Sequence, residues 1–233
     1  MEVPTSLFDE QPDPDDDRAR LAAAARTVID ELARSTASAD AFAEAAAMVA
    51  RAADVLAAGS HGRPYDEPAE ASLRDHQRNS FLYHSPFVGR LNPLAPPIAM
   101  RVEGAAPHVV VVGDVQYGAA YEGPPGCVHG GFIAAGFDEV LGFTQSFSGQ
   151  PGMTARLSVS YRSPTPLGQP LRYEGHLDRV EGRKIFVAAT LHAGDRLCAE
   201  AEGLFISMKP EVFDRLVRDR APVAGATDSP PGG

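Results

Sequence analysis

The sequence predicts an α+β fold in which a mostly antiparallel sheet is laid against one long apolar helix, with a helical extension ahead of both. Three observations predict it. Six stretches of strand character fall between residues 98 and 207, and those after residue 154 lie too close together for helices to fit between them. A single glycine-led run, from Gly130 to about Gln145, points Phe132, Ile133, Phe137, Val140, Leu141 and Phe143 in enough directions to leave no wide polar face. Ahead of the strands come two alanine-rich segments and a proline-broken strap.

Residues 1–17 are acidic and proline-bearing and read as a solvated lead-in. From Arg18 to Arg34 the spacing of Leu21, Ala24, Ala25, Val28, Ile29 and Leu32 fits an amphipathic helix, with Asp17 at its start. A second helix is expected from Asp40 to Ala58, ended by Gly59. Two alanine-rich helices bury little area each, so both are expected to lean on the main domain. Residues 61–79 read as a polar connector. Residues 80–97 are aromatic and apolar yet carry too many prolines for a regular element, which predicts an ordered strap that either lines a pocket or lengthens the connection to the first strand.

The strands are expected at Ile98 to Glu103, Val109 to Gln116, Thr154 to Tyr161, Leu171 to Val180, Lys184 to His192 and Leu197 to Ser207. Leu157, Val159 and Tyr161 alternate with Arg156, Ser158 and Ser160, so one side of that strand faces a core. Glu181-Gly182 and Gly194-Asp195 mark hairpin turns. Glu211 to Arg220 reads as a short final helix, followed by a frayed tail. The expected division is a lead-in and helical extension over 1–80, a main domain over 81–210, and a short helix and tail over 211–233.

With 233 residues, 44% of them hydrophobic, the chain can bury one sizeable core. A net charge of -10 argues against a nucleic-acid partner, which calls for a basic stripe. Cys127 and Cys198 form no disulfide framework and, with His176 and His192, no metal-ligand spacing, so no metal is expected. No run of 18 apolar residues and no signal-peptide pattern is present, and the expected setting is the cytoplasm.

The chemistry concentrates on the central helix. Asp138 stands among apolar residues, where an acid is costly unless hydrogen-bonded, paired or used in a reaction. Gly130 and Gly131 open the helix, leaving backbone N–H groups available to a ligand oxygen where the helix dipole favours negative charge. His129 and Asp138 are nine residues apart, about 13 Å along a straight helix. A site that uses both ends therefore needs a second, antiparallel copy of the helix, which a symmetric dimer supplies. Glu139 is a competing base, but it is turned about 100° from Asp138. A Cys127–His129 nucleophile pair lacks a third group, and His84 reads as structural.

Gly123-Pro-Pro-Gly-Cys-Val-His129-Gly130-Gly131, Asp138, Thr154 sixteen residues later and Ser160-Tyr-Arg-Ser-Pro-Thr-Pro-Leu-Gly168 together resemble the hotdog-fold acyl-CoA thioesterases, closest to the PaaI-like and THEM-like groups. The resemblance covers about residues 98–208. It implies a curled antiparallel sheet around the central helix and a homodimer, with a dimer of dimers as the alternative assembly. It also implies hydrolysis of an acyl-CoA to free acid and CoA, with no cofactor beyond the coenzyme A of the substrate. Asp138 matches the acid that activates water or attacks the thioester. Thr154 matches the hydroxyl that orients the water, and His129 and Gly130 mark the helix entry. The Gly131 N–H matches the donor that polarises the carbonyl. Many relatives carry Asn or Gln where this chain has Gly123. Arg156, Arg162, Arg183 and Lys184 are candidate partners for the CoA phosphates. The competing functions are an enoyl-thioester hydratase or dehydratase, and a non-catalytic acyl-CoA or lipid-binding module.

Overall fold

The computed structural model describes residues 16–59, 80–105, 108–150 and 152–208. The expected connector over 61–79 and the final helix over 211–220 lie outside them. Helix α1 spans Asp17–Arg34, with the Asp16 side chain accepting from Arg18 N–H at its start. Helix α2 spans Ala39–Ala57 and is capped by Ser38, which accepts from Ala41 N–H. A short helix α3, Ser80–His84, opens the strap. Strands β1 (Ala99–Ala105) and β2 (His108–Val115) precede the central helix α4 (Gly130–Ser146). Strands β3 (Gly152–Tyr161), β4 (Leu171–Glu181), β5 (Lys184–Ala193) and β6 (Arg196–Ser207) follow it.

The six strands form one sheet in the order β1-β2-β4-β5-β6-β3, antiparallel throughout. The sheet curls about α4 in the hotdog arrangement. Phe137, Val140 and Leu141 are fully buried on the sheet-facing side of α4, each such side chain stabilising the fold by about 1.5–3 kcal/mol. Two phenols set how closely the helix approaches. Tyr117 and Tyr173 are fully buried, their hydroxyls 3.1 Å apart, and Tyr173 also donates to Ile133 O at 3.4 Å. Burial pushes both phenols above the ordinary tyrosine range, so they remain protonated donors. The helix rests on them at Gly136, where a Cβ would lie 2.8 Å from Tyr173 Cζ and 2.9 Å from Tyr117 Oη. Only glycine fits there.

The N-terminal helices behave differently from each other. Helix α1 is tied down: Asp30 Oδ1 accepts from Ala119 N–H at 2.6 Å, and Arg26 donates to Arg90 O at 3.1 Å and Asn92 O at 3.0 Å. Helix α2 buries no residue and leaves Met48, Val49, Val55 and Leu56 at least half exposed. Among the described residues, the expectation that both helices lean on the domain holds for α1 and not for α2. Alanine-rich α2 has, among the described residues, no polar anchor equivalent to Arg26 or Asp30. Among the described residues no helix is long and apolar enough to cross a membrane.

Candidate active site

Helix α4 is less enclosed than its composition implies. Asp138 is exposed in the single chain, on the side of α4 that faces β3. Its Oδ1 accepts a hydrogen bond from Thr154 Oγ1 at 2.9 Å. A β-bulge makes this contact. The β3–β6 register slips between Thr154 and Arg156, leaving Ala155 as the extra residue. Downstream of the bulge Leu157 and Val159 pack against the core and Tyr161 reaches α4, while Arg156, Ser158 and Ser160 are exposed. Strict alternation would have put Thr154 with the exposed set. The bulge turns it back toward the helix and its acid.

At the other end, His129 is the N-cap of α4, and its Nδ1 accepts from Gly131 N–H at 3.0 Å. The neutral ring therefore carries its proton on Nε2. So the Gly131 N–H expected to meet a carbonyl already holds an imidazole here, while Gly130 N–H has no partner among the described residues. Phe132 and Ile133 N–H both point to His129 O. Tyr161 Oη donates to Gly130 O at 2.7 Å and fastens β3 to the helix start. Sequence reasoning passed over Tyr161 as a site residue, although its parity with Leu157 and Val159 marked it as inward-facing.

Gly123 has a local cause. It bridges the loop through its N–H to Cys127 O at 2.9 Å, and a Cβ on it would lie 2.7 Å from His129 Cα. An Asn or Gln side chain cannot be seated at 123 while His129 keeps this position.

Glu139 is also not a second base facing the same space. It turns to the strap, where its Oε1 accepts from Ser85 Oγ at 2.9 Å. Burial raises the Glu139 carboxyl above the ordinary glutamate value, with the Asp138 charge adding to the shift and the Ser85 hydrogen bond opposing it. Sequence reasoning missed Ser85.

The four basic candidates are not brought together in one chain. Arg162 pairs with Glu200 near the helix-start end of β3. Arg183 donates to Ser207 O at 3.0 Å, and Lys184 is exposed beside it. Because Thr154 and Ile185 both pair with Phe205, Arg183 and Lys184 lie toward the Asp138–Thr154 end of the sheet. Arg156 is exposed between the two ends. Cys127 and Cys198 are both free. Among the described residues no three His, Cys, Asp or Glu side chains gather to hold a metal.

The family model of the thioesterase superfamily matches residues 125–200, from the loop before His129 to the middle of β6. Acyl-coenzyme A thioesterase THEM4 of Mus musculus is 41% identical over 98 residues, which are 41% of this chain and 42% of that protein. Acyl-coenzyme A thioesterase THEM5 of Homo sapiens is 30% identical over 98 residues, 41% of this chain and 40% of that protein. The chain thus spans about two fifths of the length of these curated relatives. A crystal structure of a thioesterase superfamily protein is 33% identical, covers 85% of this chain and 94% of its own, and superposes with a TM-score of 0.70. That coverage is more than the sheet and α4 can fill, so it takes in part of the N-terminal extension. On these matches the chain belongs to the thioesterase superfamily.

Proposed function

We propose that the chain hydrolyses an acyl-CoA thioester to the free acid and CoA thiol, as a homodimer in which each of two sites draws on both protomers. The observation that carries this reading is the Thr154–Asp138 hydrogen bond on an exposed face, at 2.9 Å, about 11–12 Å along the helix from the N–H groups at its start. The hydroxyl occupies Oδ1 and leaves Oδ2 to take a proton from water. That water attacks the thioester carbon, forming a C–O bond. The carbonyl oxygen gains charge against the α4 start of the second protomer, where Gly130 N–H is open and Gly131 N–H is released once a carbonyl displaces the imidazole. Collapse breaks the C–S bond, and the proton held by Asp138 passes to the departing thiolate.

The named activity of the THEM4 and THEM5 relatives supports this reaction class. The dimer is supported by β3, a ten-residue edge strand whose Met153 and Tyr161 are 52% and 54% exposed. Pairing two β3 edges antiparallel covers an otherwise open ladder and sets the two α4 helices antiparallel. Phe87 and Val88 of the strap pack on the core and favour an acyl or aryl tail over a small polar acid. The CoA phosphates then fall to Arg156, Arg162, Arg183 or Lys184, recruited from both protomers. Free cysteines fit a cytoplasmic setting.

The reading is tested by following thiol release from acetyl-, medium-chain, long-chain and phenylacetyl-CoA, with Asp138→Asn alongside. Release that ranks the tails and vanishes in the variant supports it. No release from any thioester by the folded dimer overturns it. Loss of enoyl absorbance without thiol release would point to a hydratase instead.

A further inference from the structure

The central helix carries two neighbouring acids with separate attachments, and the second has no part in the reaction above. Glu139 accepts from Ser85 Oγ at 2.9 Å, and Ser85 is 2% exposed. The same hydroxyl accepts from Phe87 N–H and Val88 N–H, each at 3.2 Å. Its one donor and two acceptor sites are therefore all used. Around it the strap is closed by Gly89 N–H to Ser85 O at 3.1 Å, Leu91 N–H to Tyr83 O at 2.9 Å and Ile98 N–H to Phe87 O at 2.9 Å. Arg26 of α1 holds its far side through Arg90 O and Asn92 O. The strap is thus a hydrogen-bonded body anchored to α1 on one side and, through Glu139, to α4 on the other.

We propose that Glu139 is a positioning residue for the reaction: through Ser85 it locks the strap against α4 and so fixes the roll of the helix turn that aims Asp138. This rests on the thioesterase reading above. The physics is that of a short lever. Side chains of a helix end about 5–6 Å from its axis, so a roll of about 10° carries the Asp138 carboxylate about 1 Å off line. A misplacement of about 1 Å at a reacting group costs on the order of a hundredfold in rate. Thr154 alone does not prevent such a roll, because a single hydrogen bond from a rotatable hydroxyl can follow the carboxylate. The Ser85 attachment can, being buried, about 100° round the helix and braced by backbone donors.

The test uses the full chain with Ser85→Ala and Glu139→Leu, which break the link, and Ser85→Thr and Glu139→Gln, which keep a hydroxyl and an acceptor. The breaking variants are expected to lose kcat by about ten- to a hundredfold, with KM little changed. The conservative pair should stay within about threefold of the parent. Amide exchange gives a second readout, since Phe87 and Val88 N–H should exchange faster in Glu139→Leu although their acceptor, Ser85, is untouched. Retained kcat in Ser85→Ala and Glu139→Leu overturns the proposal, as does a loss that only tracks the folded fraction. Were the parent to release no thiol from any CoA thioester, the functional reading would fall by itself. The exchange arm would then decide the link: faster exchange in Glu139→Leu sustains it, and unchanged exchange rejects it.

Discussion

The two sides of α4 that meet at residues 138 and 139 treat identical chemistry in opposite ways. On the β3 side, Asp138 is exposed and, among the described residues, accepts from a hydroxyl through Oδ1 alone. On the strap side, Glu139 is held against a buried serine and its carboxyl is raised by desolvation. An acid meant for proton transfer must be reachable by water and must keep an oxygen free. An acid meant to hold structure is better buried, with its partner's hydrogen-bonding capacity used up. On the proposed reading, the exposed acid is the one used in chemistry and the half-buried one the one that holds structure.

This comparison can be broken most severely at Asp138. Replacing it with Asn removes the proposed base and keeps the acceptor for Thr154, so kcat should fall by about 10²–10⁴-fold while the melting temperature hardly moves. Steady-state thiol release beside a thermal melt checks both halves. Retained turnover would transfer the role of base elsewhere.

Thr154 offers an intermediate effect. Thr154→Ala frees Oδ1 and loosens the carboxylate, an expected loss of about tenfold in kcat, whereas Thr154→Ser keeps the hydroxyl and most of the rate. Equal rates for the Ala and Ser variants in the same assay would make the hydroxyl irrelevant.

The smallest effect sharpens the other side. A carboxyl raised above its unfolded value contributes stability that is fully present below the ordinary 4.5 and is lost as pH rises through the folded value. Glu139→Gln cannot ionise and escapes that loss. The melting temperature of Glu139→Gln relative to the parent should therefore climb as pH rises above the ordinary 4.5. Parallel curves would mean that Glu139 is not desolvated.

Much of this was legible in the residues. Phe137, Val140 and Leu141 on the central helix, and the alternation of Leu157, Val159 and Tyr161, placed the buried helix and its sheet correctly. The side on which Thr154 lies was not legible from alternation, because a bulge is a local slip that period-two patterning cannot register. Glu139 could be read as turned away from Asp138 but not as bound to Ser85. A proline-rich strap has no periodicity from which to foretell which hydroxyl turns inward. Gly123 looked like a missing side chain until the closeness of His129 supplied its reason. Helix α2 stays uncovered among the described residues because an apolar stripe predicts that a face wants cover, and not which surface provides it.

The central claim, a site shared between two copies of α4, is tested most directly by mixing two inactive proteins. Asp138→Asn lacks the proposed base. Gly131→Pro lacks one of the two proposed N–H donors at the helix start, a first-turn position that lies outside the helical ladder and tolerates proline. Each homodimer should be inactive while remaining folded and dimeric. After dissociation and reassociation at equal amounts, half the dimers are mixed, and each carries one intact site made from the Asp138 of one protomer and the helix start of the other. Thiol release should then recover to about one quarter of the parent rate. Recovery at that level is the result the account predicts. No recovery, with mixed dimers demonstrated by mass, would place both halves of the site in a single chain and contradict it.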